Sequence, residues 1–238
     1  MSRVTAIVPA AGLGTRMGAE TPKQFLELGG VPLLVFTLRR LAESEQIADF
    51  LVAARAEDVA AVEQLLHREP LGRPVRVVCG GDTRQASVAS ALEQVPADAE
   101  MVLVHDAVRP LVTREQVERV IAEARACGAA ILGVPAVDTI KEVRRASLPE
   151  DVALITATIP RERIVLAQTP QVFRAALLQE AFAKAKQDGF VGSDEAVLVE
   201  RLGYEVRVVL GSERNIKITR RADMDLARFY LEQERAGK

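Results

Sequence analysis

The head of this chain constrains its fold most: a β-branched apolar run stops at a proline and empties into small residues. The segment reads Val4-Thr5-Ala6-Ile7-Val8-Pro9-Ala10-Ala11-Gly12-Leu13-Gly14-Thr15-Arg16-Met17, with Pro22-Lys23-Gln24 close behind. The run Ala6 to Val8 is a buried strand, and the bare loop after it lets backbone N–H groups approach an anion closely. Arg16 and Lys23 add fixed positive charge, so Ala10, Ala11, Gly12 and Gly14 with these two cations form a candidate triphosphate cradle. A tight strand-to-helix turn is the other use of such glycines. The spacing is neither a Gly-Lys-Ser/Thr phosphate loop nor G-x-G-x-x-G.

A chain of 238 residues with 49% hydrophobic content can bury a large core, and we expect one main α/β domain over residues 1–238 with an insertion. With 31 basic and 33 acidic residues the net charge is −2, so no broad field draws nucleic acid or an anionic membrane surface. No run approaches the roughly 18 apolar residues of a membrane span, and the first strand starts without a leader pattern, so a soluble cytoplasmic protein is expected. Cys79 and Cys127 read as small core residues rather than a disulfide framework, and with His67 and His105 they match no zinc spacing. The metal expected here is Mg2+ arriving with a nucleotide.

Strands are predicted at Thr5–Pro9, Phe50–Ala54, Val75–Cys79, Met101–His105, Ala129–Pro135 and Glu205–Leu210, with amphipathic helices between them. That alternation predicts an α/β fold: a doubly wound, mostly parallel sheet covered on both faces. Thr113-Arg114-Glu115-Gln116 is a capping-box start for a helix ending at Gly128. Over about 136–158 the rhythm changes to strand alternation around a Ser147-Leu148-Pro149-Glu150-Asp151 break, which reads as a protruding β-arm. A lone two-stranded arm is marginal in water, so it packs on a partner subunit or folds back on its own domain.

Ligands of open parallel sheets bind beyond the carboxyl ends of the strands. Three polar loops fall there: the glycine loop, Gly80-Gly81-Asp82-Thr83-Arg84-Gln85-Ala86-Ser87, and His105-Asp106-Ala107-Val108-Arg109-Pro110. Asp106 is a candidate magnesium ligand or hydroxyl acceptor, or else a helix cap. Arg109 offers a fork to a phosphate, or else a surface ion pair. Gly81 and Asp82 serve a base, or simply turn the chain. Lys217, between Ile216 and Ile218, either snorkels from a strand or aims its ammonium at an anion.

Taken with Asp138-Thr139-Ile140-Lys141, Thr169-Pro170-Gln171, Ser193-Asp194-Glu195-Ala196 and Asn215-Ile216-Lys217-Ile218-Thr219, these motifs resemble the 2-C-methyl-D-erythritol 4-phosphate cytidylyltransferases over nearly the whole chain. The resemblance implies a Rossmann-like nucleotidyltransferase fold and a homodimer clasped through the β-arm. It implies a reaction of CTP with a polyol phosphate in non-mevalonate isoprenoid precursor synthesis, releasing pyrophosphate. By position, Arg16 and Lys23 resemble the catalytic pair on the triphosphate. Ala10, Ala11, Gly81, Asp82 and Ser87 resemble the nucleotide set. Asp106, Arg109, Thr139, Arg161 and Lys217 resemble the polyol-phosphate set, with Thr139 and Arg161 coming from a partner's arm and Arg161 and Lys217 holding the nucleophile. Val108 and Ser193 stand where many members carry alanine and threonine, and Val108 is also common among ribitol-5-phosphate cytidylyltransferases. Lys141 and the 193–196 run favour the methylerythritol side. A non-catalytic nucleotide sensor on the same fold would have no need of both Arg16 and Lys23. A dinucleotide-dependent oxidoreductase would need an acidic residue where Arg55 stands.

Overall fold

The computed structural model describes residues 3–12, 22–144 and 152–236, with Lys23 described in its backbone only. In chain order the elements are β1 (Arg3–Pro9), β2 (Glu27–Leu28), β3 (Val31–Pro32), α1 (Leu33–Ala42), β4 (Ile47–Ala54), α2 (Val59–Arg68), β5 (Val75–Cys79), α3 (Arg84–Leu92), β6 (Ala99–Val104) and α4 (Arg114–Cys127). They continue with β7 (Ala129–Pro135), β8 (Ile140–Arg144), β9 (Leu154–Ile159), β10 (Val165–Arg174), α5 (Ala175–Gln187), α6 (Ala196–Glu200), β11 (Arg207–Leu210) and α7 (Arg221–Ala236).

The described residues build a seven-stranded sheet in the order β11-β7-β10-β6-β1-β4-β5. Every pair is parallel except those of β10, which runs antiparallel to β6 and β7. Alternation along the central strands explains the layers. Ala6, Val8, Phe50 and Val52 enter the core under α1, α2 and α4, whereas Ile7, Leu51 and Ala53 enter the core under α3, α5 and α6, all fully buried. A sheet buried on both faces needs such continuous apolar strands. A third cluster joins Leu28 to Met224 and Leu231 of α7. Leu28 ends β2, and Gly29 and Gly30 turn the chain into β3 with φ of +61° and +81°. A two-residue hairpin with both central residues at positive φ strongly favours glycine.

The helix predicted after Thr113 is α4. Its hydroxyl accepts from the Gln116 N–H, the Gln116 side chain accepts from the Thr113 N–H, and Gly128 ends it at φ +99°. Several sequence expectations shift. Met101–His105 ends at Val104, the last strand starts at Arg207 rather than Glu205, and Lys217 lies in irregular chain, not a strand. The main omission is β10. Its Gln168-Thr169-Pro170-Gln171 centre has no strand signature, yet it is buried, and the pairing with β7 slips between Gln168 and Gln171, where a bulge accommodates the proline. The 136–158 region holds β8 and β9, which form a separate antiparallel ribbon pairing Ile140 with Ile159 and Arg144 with Leu154. The break at 147–151 lies outside the described residues.

The chain runs from β1 outward to β4 and β5, then returns to place β6 on the other side of β1. That reversal opens a crevice at the carboxyl ends of β1 and β6, where an open α/β sheet binds its ligand.

Candidate functional site

A cleft of about 800 Å³ occupies that crevice. Ala10, Ala11 and Gly12 form one wall, Gly81, Asp82 and Ser87 another, and Asp106 and Lys217 the far end. Among the described residues, a Cβ built on Gly12 meets nothing within 4 Å, and bare backbone of this kind lets a ligand approach closely. At Gly81 the reason for glycine differs: a Cβ there would sit 2.6 Å from the Ala86 Cβ. Buried Ser87 pins the turn, accepting from the Gly81 N–H at 3.2 Å while its hydroxyl lies 3.1 Å from the Gly81 carbonyl and 2.8 Å from that of Thr83. Thr83 caps α3 by accepting from the Ala86 N–H. Ser87 therefore shapes the wall that Asp82 tops.

The far end is a buried charged corner. The Asp106 carboxylate accepts on Oδ1 from Arg84 Nε at 3.1 Å and on Oδ2 from Lys217 Nζ at 2.9 Å and Arg109 Nε at 3.4 Å. Burial by itself would raise the Asp106 pKa, but Arg84, Lys217 and Arg109 overcome it and hold the group well below the usual carboxylate range. Arg84 also forks onto Glu195, with Nη1 to Oε1 at 2.7 Å and Nη2 to Oε2 at 3.0 Å. Burial raises the Glu195 pKa and the Arg84 fork opposes the rise.

Behind Asp106 stands a chain of neutral hydrogen bonds. The Arg109 carbonyl can only accept, so Nε2 of fully buried His105, 3.1 Å away, carries the proton. Nδ1 then accepts from the Thr169 hydroxyl at 2.9 Å, and that oxygen accepts from the Asp106 N–H at 3.1 Å. Burial pushes the His105 pKa down to about 4, consistent with a neutral ring. β10 thus anchors the loop after β6, and it anchors Lys217 as well. Asn215 donates to the Thr169 carbonyl at 2.9 Å, Arg109 Nη1 donates to the Asn215 carbonyl at 2.8 Å, and the Ile218 N–H donates to the Val108 carbonyl at 2.9 Å.

Two of the expected site residues already have partners within the chain. Both Asp106 oxygens are engaged by the protein's own cations, so a magnesium ion here would share them with Arg84, Arg109 and Lys217. Among the described residues no three His, Cys, Asp or Glu side chains gather to hold a metal. Arg109 forks onto Asp106 and the Asn215 carbonyl at the edge of this corner. Thr139, exposed just before the ribbon, and Arg161, just after it, do not line the cleft of their own chain, and Arg161 donates to the Val137 carbonyl at 2.6 Å. Gly14 and Arg16 lie outside the described residues, as does the Lys23 side chain. Sequence reasoning assigned no role to Arg84, Glu195, His105 or Thr169. A sequence signal for Arg84 existed only in its position beyond a strand end, and Glu195 arrives from 111 residues away.

Comparison with known proteins decides the family. The family described as 2-C-methyl-D-erythritol 4-phosphate cytidylyltransferase matches residues 4–233. The chain belongs to it. A cytidylyltransferase of that name from Acidobacterium capsulatum is 53% identical over 237 residues, covering 97% of this chain and 98% of the relative. One from Solibacter usitatus is 49% identical over 241 residues, covering 98% of each. The crystal structure of the Thermus thermophilus enzyme superposes with a TM-score of 0.77 at 39% identity, covering 97% of this chain and 98% of that one. As a family member the protein is an enzyme, a nucleotidyltransferase of isoprenoid precursor synthesis acting on CTP and 2-C-methyl-D-erythritol 4-phosphate. The ribitol phosphate alternative is not favoured by any of these relatives. The cytidylyltransferase fold is the mostly parallel sheet described above.

Proposed function

We propose that the cleft divides this reaction between its two ends. CTP lies against the bare backbone of Ala10, Ala11, Gly12 and Gly14 and the Gly81, Asp82 and Ser87 wall, with Arg16 and Lys23 on its triphosphate. Methylerythritol phosphate lies at the far end, against Asp106 and Lys217. The observation that carries this reading is the meeting, among the described residues, of a bare backbone wall and a cationic corner in one crevice.

The chemistry is one displacement. An oxygen of the methylerythritol phosphate forms a bond to the α-phosphorus of CTP as the bond from that phosphorus to the β-bridging oxygen breaks, and pyrophosphate leaves with the electron pair. The attacking oxygen is already anionic, so no general base or covalent enzyme intermediate is needed. Two anions must be brought together, so catalysis is positioning and charge stabilisation. Lys217 holds the nucleophile, and Arg16 and Lys23 stabilise charge on the triphosphate. Magnesium arriving with CTP would supply further positive charge beside the triphosphate.

We propose a homodimer joined through the ribbon, in which Thr139 and Arg161 serve the site of the second copy. Val143, Leu154 and Ile155 are exposed there, with Ile155 at 64%, and apolar side chains on a two-stranded ribbon call for a cover. We take the chain as one catalytic unit with the ribbon, about 136–158, as its insertion, acting in the cytoplasm where nucleoside triphosphates are held. Among the described residues no helix is long and apolar enough to cross a membrane.

Pyrophosphate release from CTP and magnesium, with methylerythritol 4-phosphate or ribitol 5-phosphate supplied separately, tests the reading. Turnover of the first alone is expected. Preference for ribitol 5-phosphate would overturn the substrate and keep the phosphate chemistry.

A further inference from the structure

The charged corner contains more than the proposed substrate contacts require. Among the described residues Arg84, Arg109 and Lys217 meet two carboxylates, Asp106 and Glu195, so three cations face two anions. The surplus charge reaches the cleft through Lys217, whose side chain is 39% exposed, and through the partly exposed Arg84, while Arg109 is nearly covered. An ammonium already paired with a carboxylate at 2.9 Å is a weakened partner for a phosphate unless another cation shares that carboxylate.

We propose that Arg84, clamped by the buried Glu195, is a positioning residue for the polyol phosphate: it holds Oδ1 of Asp106, leaving Oδ2 to Lys217 and Arg109, and so keeps the Lys217 ammonium turned toward the cleft.

The geometry supports this division. Arg84 Nε takes Oδ1, and its two Nη groups both reach Glu195, whose relative exposure is 1%. A guanidinium fixed at one end by a bidentate pair has little freedom at the other, so it sets the plane of the Asp106 carboxylate. Glu195 is itself fixed. The Gln171 side chain of β10 donates to Asp194 at 2.8 Å and accepts from the Ala196 N–H at 3.1 Å, locking the residues on either side of Glu195. Remove the Arg84 fork, and Asp106 is free to turn both oxygens onto Lys217. The ammonium is then drawn into the protein and away from the incoming phosphate. A lysine in place of Arg84 keeps the charge, but a single ammonium cannot bridge both carboxylates in this fork geometry.

The inference rests on the assignment of methylerythritol phosphate to the Lys217 end, and steady-state kinetics with each substrate varied separately separates the two. Failure of the wild-type enzyme to turn over methylerythritol 4-phosphate would overturn that assignment before Arg84 is at issue. With wild-type turnover in hand, Arg84→Lys is expected to raise KM for methylerythritol 4-phosphate by about 10- to 100-fold, the range for losing a charged hydrogen bond. KM for CTP is expected to stay within about threefold, since the nucleotide end makes no use of the fork. Glu195→Gln is expected to shift the same KM in the same direction by less, and it decides the matter if Arg84→Lys does not fold. Equal shifts in both KM values, or a fall in thermal midpoint with both KM values unchanged, would overturn the proposal and leave Arg84 a purely structural ion pair.

Discussion

Arg84 and Arg161 are the same residue type in two regions that use it differently. In the charged corner, Arg84 reaches Asp106 and Glu195 within 3.1 Å, and both carboxylates are buried. At the foot of the ribbon, the Arg161 side chain is 54% exposed, with one bond to the Val137 carbonyl and a 3.9 Å approach to Glu162. Water screens the second arrangement and leaves it little net energy, whereas burial makes the first directional and costly to disturb. The corner is finished within one chain. The ribbon leaves Val143, Leu154 and Ile155 exposed, the surface on which the proposed dimer rests.

That contrast can be broken most directly at its centre. Asp106→Asn removes the carboxylate that Arg84, Arg109 and Lys217 share, and a loss of about 3–5 kcal/mol is expected, the range for breaking one side of a buried pair. Urea unfolding with an unchanged slope would measure it, and a loss under about 1 kcal/mol would mean the corner is not a preformed charge centre.

Acid probes the neutral chain behind it. His105 titrates at about 4 when folded and at its ordinary 6.5 when unfolded, so the unfolded chain binds more protons between those values. The stability from keeping the ring neutral is full above pH 6.5 and is lost as pH falls toward 4, about 3 kcal/mol in all. Asp106, whose folded pKa is depressed, loses its contribution only as pH falls below about 3.8, so the windows are separate. Stability measured at about pH 7 and about pH 4.5 should fall less steeply in His105→Gln than in the native chain. Parallel slopes would contradict the neutral ring.

A smaller effect is expected from Thr169→Val, which keeps the shape and removes the hydroxyl that accepts from Asp106 N–H and donates to His105. About 1–3 kcal/mol should be lost on chemical denaturation, because two buried polar groups are left without their partner. Smallest of all for the fold of one chain is Ile155→Asp, expected to change protomer stability by no more than about 0.5 kcal/mol, as exposed substitutions do. The same change should shift sedimentation from dimer to monomer, and an unchanged sedimentation coefficient would remove the ribbon from the interface.

Local patterns in the sequence were enough to mark the frame. Continuous apolar strands such as Ile7-Val8 and Phe50-Leu51-Val52 specify a two-sided sheet wherever they fold, and Thr113 with Gln116 specifies a helix start through contacts three residues apart. The bare wall at Ala10, Ala11 and Gly12 was legible for the same reason, since the absence of a side chain is a property of the residue itself. β10 was not, because Gln168, Thr169 and Gln171 are buried only when Asn215, Asp194 and His105 come from distant parts of the chain to satisfy them. Asp106 could be singled out from its place after a strand, but its partners could not. Whether it meets a metal or three cations depends on Arg84, Arg109 and Lys217 converging from separate loops. Apolar periodicity and capping act over a few residues and are written along the chain; ion-pair geometry acts across space, and only the tertiary structure decided it.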